Sequence, residues 1–176
     1  MNAVVVYRSK TGFAKRYAEW IAEELKADIF EASGVDVRML MAYDRIVYGG
    51  GLYAVGINGS KLITGNLEQL EGKRIAVFAT GATPPRKEDI DKVRDMNFTS
   101  GQQQKIGFFY LRGGFDYSKL KFADKLLMNM LKLKIKAKKR KTRLEPDEIG
   151  MLAAYDKPVD FTRKKNIEEL LEYINS

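Results

Sequence analysis

The sequence has 176 residues, of which 45% are hydrophobic and 31% charged, and these values are ordinary for one globular domain. It contains neither cysteine nor histidine, which excludes disulfides, iron–sulfur clusters, thiolate metal sites and imidazole catalysis. No stretch approaches the roughly 20 continuous apolar residues that cross a bilayer, and the start of the chain does not resemble a signal peptide, so we expect a cytoplasmic protein. Any catalysis would therefore depend on a bound cofactor or on carboxylate, Lys, Tyr, Ser or Thr chemistry.

The net charge of +8 is concentrated in one segment. Residues 119–143 contain eleven of the 31 basic residues of the chain, together with a single acidic residue, Asp124. The rest of the chain holds 20 basic and 22 acidic residues and is therefore mildly acidic. This asymmetry predicts a local electrostatic partner for the basic segment 119–143.

Strand and helix patterns alternate along the chain. Patterns typical of buried strands cover residues 3–7, 28–32, 45–49, 73–80 and 105–112. Helical spacing covers residues 12–26, 35–42, 57–70, 87–96 and 163–175. The alternation predicts an α/β three-layer sandwich with a parallel five-stranded sheet in the order 2-1-3-4-5. We expect one domain over residues 1–176, with a long insert at about 113–162 before the last helix.

A loop rich in hydroxyl groups joins the first predicted strand to the first predicted helix. It consists of Ser9, Lys10, Thr11, Gly12, Phe13 and Ala14. In sheets of this order, ligands bind beyond the carboxyl ends of strands one and three. Two hydroxyls, a glycine and the free N–H groups of a helix start together favour a phosphate group. The alternative interpretation is that Ser9 and Thr11 only cap the helix.

Two further loops should end at the same edge of the sheet. The third strand is followed by Gly49, Gly50, Gly51, Leu52, Tyr53 and Ala54, and the fourth by Thr80, Gly81, Ala82 and Thr83. The glycines would let the backbone approach a planar ligand closely, and Tyr53 could stack on it. A tight turn with Tyr53 at its rim is the alternative. Three such loops on neighbouring strands favour a bound phosphorylated cofactor.

At these residues the chain resembles the flavodoxin family, whose phosphate loop has the form Ser/Thr-x-Ser/Thr-Gly-x-Ser/Thr. Ser9, Thr11 and Gly12 match this form, whereas Ala14 stands where the family usually has a third hydroxyl. The missing hydrogen bond implies a loss of roughly 1 kcal/mol in FMN binding, or a water in its place. The resemblance implies a flavodoxin-like fold with FMN as cofactor, its phosphate in the loop 9–14 and its isoalloxazine ring between the loops 49–54 and 80–83.

A second resemblance begins at residues 113–117 (Gly-Gly-Phe-Asp-Tyr) and continues through Asp124 to residues 160–162. The chain is similar there to the menaquinone-dependent protoporphyrinogen oxidase branch, which inserts a Gly-x-x-Asp-Tyr stretch and a basic helix before the last helix. This resemblance implies that electrons pass from a reduced, planar, tetrapyrrole-like substrate through FMN to a quinone. The alternatives are a flavodoxin-type electron carrier without substrate chemistry of its own, and a binding module without flavin.

The basic segment begins with the spacing of an amphipathic helix. One face carries Phe122, Leu126, Leu127, Met130 and Leu131, and the other carries Lys125, Asn129, Lys132 and Lys136. From Leu131 onward apolar residues and Lys alternate strictly, as in a strand, so the sequence leaves the end of the helix open. The segment is either a solvated charged face or an element that rests on an anionic membrane surface near a quinone. Nucleic acid is favoured less, because aromatic platforms and a recognised binding fold are missing. The oligomeric state stays open.

Overall fold

The fold is built on a parallel β-sheet. A computed structural model describes residues 2–53, 55–139, 142–144 and 146–176. The strands of this sheet are β1 (Ala3–Arg8), β2 (Asp28–Glu31), β3 (Arg45–Tyr53), the short β4 (Gly56–Ile57), β5 (Arg74–Gly81) and β6 (Ile106–Arg112). The parallel strands of the described chain lie in the order β2-β1-β3-β5-β6, and β4 pairs antiparallel with the end of β3. The predicted order 2-1-3-4-5 is thereby confirmed.

Helices connect the strands and complete the chain. They are α1 (Phe13–Leu25), α2 (Val37–Leu40), α3 (Lys61–Thr64), α4 (Lys87–Asn97), α5 (Ser100–Gln103), α6 (Phe122–Lys139), α7 (Pro146–Ala154) and α8 (Glu168–Asn175). Helices α6 and α7 belong to the predicted insert, which also contains an antiparallel pair, β7 (Gly114–Phe115) with β8 (Val159–Asp160).

Two apolar clusters cover the two faces of the sheet. On one face α1 and α8 bury Tyr17, Ile21 and Leu170 against the strands. On the other face Leu40 and Val93 from α2 and α4 are buried in the second cluster. Because the central strands are covered on both sides, their runs are continuously apolar instead of alternating. The three-layer arrangement predicted from the sequence is confirmed.

The predicted helix over residues 57–70 is wrong. Within this stretch α3 comprises a single turn, Lys61–Thr64, and the chain then continues through turns to the start of β5. Gly59 has a left-handed φ of +78°, and the Asn66 side chain donates to the Leu62 carbonyl at 2.9 Å. Such local side-chain bonds compete with helical hydrogen bonding. The apolar spacing was misleading because Ile63, like Leu67 and Leu70, is buried without a continuous helix.

The alternating half of the basic segment is helical. Helix α6 runs without interruption to Lys139, although the sequence from Leu131 onward has the pattern of a strand. Ile135 is buried in this half, whereas its lysines from Lys134 onward are exposed. No helix within the described residues is long and apolar enough to cross a membrane.

Gly49 provides a test of the sheet's packing. A Cβ atom at this position would lie 1.9 Å from Phe78 Cζ, inside the core. We expect Gly49→Ala to lower the free energy of unfolding by about 2 kcal/mol, because overpacking displaces a buried ring. Gly34→Ala is the matched control, since a Cβ there meets nothing within 4 Å. Equal denaturation midpoints for the two variants would contradict this account of the packing.

Candidate functional site

The register of the sheet brings three loops to one edge. Arg8 at the end of β1 pairs with Gly50 of β3, which in turn pairs with Ala79 of β5. The residues that follow these positions therefore lie side by side at this edge. The third strand was predicted to end at residue 49, but β3 continues to Tyr53, because its last residues pair with β4. The three loops surround a cavity of about 520 Å³, within the range of about 300–1,000 Å³ that is usual for ligand pockets.

The first loop leaves the start of α1 open. Gly12 is the N-cap residue, with a left-handed φ of 95°, and no side chain in the described structure caps the helix. Ser9 Oγ accepts a hydrogen bond from the Gly12 N–H at 3.0 Å, so its own proton is available to a ligand. Ser9 thus binds one N–H at the helix start, whereas the N-cap position itself is occupied by Gly12 and not by Ser9 or Thr11. An uncapped helix start beside two hydroxyls suits a phosphate.

Two hydrogen bonds hold the second loop, at the end of β3, in place. The Asn58 N–H donates to the Gly51 carbonyl at 3.1 Å, and the buried Tyr48 hydroxyl donates to the Asn58 carbonyl at 2.7 Å. A Cβ at Gly50 would lie 2.7 Å from the Asn58 carbonyl oxygen, whereas at Gly51 its nearest neighbour would be 3.8 Å away. Packing within the protein thus explains why position 50 is a glycine. Gly51, in contrast, faces open space in the cavity.

The third loop is fixed by the neighbouring strand β6. The Tyr110 hydroxyl donates to the Thr83 carbonyl at 2.8 Å, and Arg112 Nε donates to the Ala82 carbonyl at 3.2 Å. Burial raises the pKa of Tyr110 to about 12, so its phenol stays protonated and keeps this bond at neutral pH. The loop after β5 is therefore anchored before any ligand is present.

The structure brings most of the predicted site residues together. The cavity is lined by Ser9, Lys10, Thr11, Phe13, Ala14, Gly51, Leu52, Tyr53, Thr80, Gly81, Ala82 and Thr83. Gly12 and Gly50 do not line it, and Ala54 lies outside the described residues. Ala14 is 2% exposed and also packs in the core cluster below α1, so this position joins the cavity floor to the core.

Residues of the insert complete the cavity, and the sequence did not identify them individually. They are Gly114, Phe115, Leu120, Asp124, Leu127, Met128, Leu131 and Met151, together with Asn58 from the loop after β4. Apart from Asp124, the side chains from α6 and α7 make this half of the cavity apolar. The apolar face predicted for α6 was only a partial signal, because Leu127 and Leu131 line the cavity. The other members of that predicted face, Phe122, Leu126 and Met130, are exposed. Met151 had no such signal.

One polar network crosses the cavity. Lys10 Nζ lies 3.0 Å from both carboxylate oxygens of Asp124, and it sits 4.1 Å above the Tyr53 ring centroid. The hydroxyl of Tyr53 also hydrogen-bonds to Asp124, which raises the pKa of Tyr53. The hydrogen bond from Lys10 holds the pKa of Asp124 below its usual value, and the Tyr53 bond acts in the same direction. At neutral pH the network is therefore a carboxylate with two donors.

The family of the chain follows from its match to a family model. A family model described as Flavodoxin domain matches residues 4–143, so the chain belongs to the flavodoxin family. Similar solved structures include flavodoxin 2 from Bacillus cereus, with 21% identity over 64% of this chain and 86% of that chain, at a TM-score of 0.42. The Trp repressor binding protein from Bacillus subtilis is 14% identical over 64% and 83% of the respective chains, at a TM-score of 0.47. A search of curated proteins gives no match.

Family membership makes FMN the cofactor of this protein, and the cavity fits it. The uncapped start of α1 with Ser9 and Thr11 suits the phosphate group. The open position at Gly51 and the exposed ring of Tyr53 leave room for a planar ring system. The chain is therefore a flavoprotein of the oxidoreductase or electron-carrier type.

Thr11 provides a direct test of the phosphate loop. We expect Thr11→Val to weaken FMN binding about fivefold to tenfold, because one hydrogen bond to a charged oxygen is lost. Flavin fluorescence titration of the apoprotein measures this change. Thr142→Val is the control, since this hydroxyl bonds the Lys138 carbonyl outside the cavity. If Thr11→Val binds FMN with unchanged affinity, the Thr11 hydroxyl does not bind the phosphate.

Proposed function

We propose that this protein is an FMN-dependent oxidoreductase of the menaquinone-dependent protoporphyrinogen oxidase type, acting as a single domain over residues 1–176. Its reductant would be a planar tetrapyrrole-like molecule and its oxidant a quinone. The observation that carries the proposal is the second, apolar half of the cavity beneath the insert. An electron carrier needs an accessible flavin edge, whereas an enzyme needs a place for its substrate beside the flavin.

The apolar half suits a flat, weakly polar ring. It is bounded by Phe115 from β7, by Leu127 and Leu131 from α6, and by Met151 from α7. Methionine side chains adapt to ring systems of different shape and make favourable contacts with aromatic edges. The lysines of the segment 119–143 would supply cations for carboxylate groups at the rim of such a ring.

Bound FMN supplies the redox chemistry by accepting electrons from one partner and passing them to another. The residues of the chain bind, orient and enclose the reactants. The loop at Ser9 and Thr11 would hold the phosphate, and the anchored backbone at Thr83 would fix the ring's surroundings. Helix α6 would exclude water from the apolar half. A chain without histidine or cysteine can perform this function, because no protein nucleophile is required.

Turnover under anaerobic conditions tests the proposal. The FMN-loaded protein should oxidise protoporphyrinogen to the fluorescent porphyrin when a menaquinone analogue is present. We expect Met151→Lys to lower this rate at least about tenfold, since it places an uncompensated charge in the apolar half. Met41→Lys is the control, because Met41 is half-exposed on the surface and does not line the cavity. FMN binding is measured in parallel for both variants.

The possible outcomes separate enzyme from carrier. No porphyrin formation by the FMN-loaded protein, with rapid electron exchange with a redox partner, would overturn the proposal and leave the flavodoxin-type carrier. A chain that takes up no FMN at all would leave a binding module without flavin.

We also propose that α6 places the protein on the inner face of an anionic membrane as a peripheral protein. Four large side chains spaced along one side of this helix are exposed, at 85, 56, 61 and 67% for Phe122, Leu126, Met130 and Leu133. Their spacing of four, four and three residues puts them on one face. We call these four residues the apolar stripe. Leu127, at the cavity rim, is half-exposed beside it.

Charge identifies the partner of the apolar stripe. Lys136 lies along one edge of the stripe and Lys134 along the other, and both are exposed. A second copy of the chain would bring two strongly basic segments together, which costs free energy through like-charge repulsion. An anionic lipid surface accepts the apolar side chains and the lysines at once. A quinone dissolved in that membrane would then be close to Leu127 and the cavity.

Vesicle sedimentation tests the membrane proposal. We expect the protein to bind vesicles that contain anionic lipid, to bind neutral vesicles weakly, and to lose binding as salt is raised. Met130→Gln should weaken binding about fivefold, because it removes apolar area from the stripe. Met96→Gln is the matched control, since Met96 is 62% exposed on the charged helix α4. Equal, negligible sedimentation with both vesicle types would contradict the proposal.

A further inference from the structure

Asp124 differs in charge from every other residue of the basic segment, and it is buried. It is the single acidic residue of 119–143, and it is 6% exposed, in the first turn of α6. A buried carboxylate needs partners, because removing it from water without them costs several kcal/mol. Its partners Lys10 and Tyr53 lie outside the insert, in the loops after β1 and at the end of β3.

The three residues connect three separate parts of the cavity wall. Lys10 belongs to the loop expected to hold the phosphate, Tyr53 to the loop expected beside the ring, and Asp124 to the helix that covers the apolar half. The Lys10 ammonium is engaged by both Asp124 oxygens at 3.0 Å. The Tyr53 ring contacts the same ammonium, with its centroid 4.1 Å from Lys10 Nζ. Each member of the network thus restrains the other two.

We propose that Asp124 is a positioning residue that fastens α6 across the cofactor cavity through Lys10 and Tyr53, and that it thereby slows the exchange of bound FMN. The inference rests on FMN occupying this cavity. It concerns how the chain retains the cofactor, and it holds whether the protein is an enzyme or a carrier.

The charge of Asp124, if it acted alone, would change FMN binding in the opposite direction. A carboxylate near the phosphate loop repels a phosphate, and it occupies Lys10, which could otherwise attract one. If Asp124 acted only as a nearby charge, its neutralisation would strengthen FMN binding. If it fastens α6, neutralisation frees the helix, and FMN leaves faster.

The fastening should weaken in acid. Lys10 from the β1–α1 loop, Tyr53 from β3 and Lys121 just before α6 face the Asp124 carboxylate and lower its pKa. A carboxylate with a lowered pKa in the folded state stabilises the fold above its unfolded pKa of about 3.9. That contribution is lost as the pH falls through the lower, folded value. FMN release should therefore accelerate on the acid side in the wild-type protein, and the Asp124→Asn variant should lack this additional acceleration.

The experiment compares Asp124→Asn with Glu148→Gln. Glu148 accepts a hydrogen bond from Lys138 at 2.7 Å, in an ion pair of the same insert that does not line the cavity. FMN dissociation is followed by flavin fluorescence after dilution, from neutral to acid pH. Hydrogen exchange at residues 120–131 is measured in the apoprotein and the FMN-loaded protein, and far-UV circular dichroism verifies folding.

We expect FMN to leave Asp124→Asn about tenfold faster at neutral pH, with faster exchange at 120–131, while Glu148→Gln matches the wild type in both. Tyr53→Phe removes one hydrogen-bond donor and keeps both charges. Its rate of FMN release should therefore lie between those of Asp124→Asn and Glu148→Gln. Slower release from Asp124→Asn, or unchanged exchange at 120–131, would overturn the inference. Because exchange is also measured without FMN, a chain that binds no flavin still reports whether Asp124 holds α6.

Discussion

The contact between Phe78 and the backbone of Gly49 is the constraint on which the rest of the structure depends. These two residues are partners in the register of β3 and β5, and the ring occupies the space where any other residue would carry a Cβ. In this alignment of the two strands, position 49 has no room for a side chain. Because parallel strands end at one edge, this alignment brings Gly51 beside Thr80 and closes the wall of the cavity. The packing of the core thus determines the geometry of a site that is assembled from separate loops.

The sheet and most of the site could be predicted from the sequence because both depend on local patterns. Buried parallel strands are continuous apolar runs, and the loops that follow them are adjacent by topology. The cavity roof could not be predicted in the same way. Met151 and Tyr53 are nearly one hundred residues apart, and no local pattern connects them. The predicted helix over 57–70 failed for a related reason, because spacing alone does not distinguish helical burial from turns that bury the same residues.

The insert combines two opposite surfaces in one helix. Its inner side carries Asp124 and Leu131 toward the cavity, and its outer side carries the apolar stripe with lysines along both edges. The alternation of Leu and Lys in the sequence does not reveal these two sides. Residues two apart in a helix lie about 200° apart around its axis, so successive leucines of the alternation point to opposite sides. The single acidic residue of the segment is at the inner side, where it can pair with Lys10. Charge placement thus distinguishes the part of α6 that faces the protein from the part that faces outward.

The central claim is that one cavity, formed by three strand-end loops and roofed by the insert, holds FMN. The most direct measurement is hydrogen exchange across the whole chain with and without FMN. The account predicts that FMN protects residues 9–15, 51–53 and 80–83 together with residues 114–131 of the insert. Protection of the three loops without any change in 114–131 would contradict the role of the insert as roof. Protection confined to other regions would contradict the site itself.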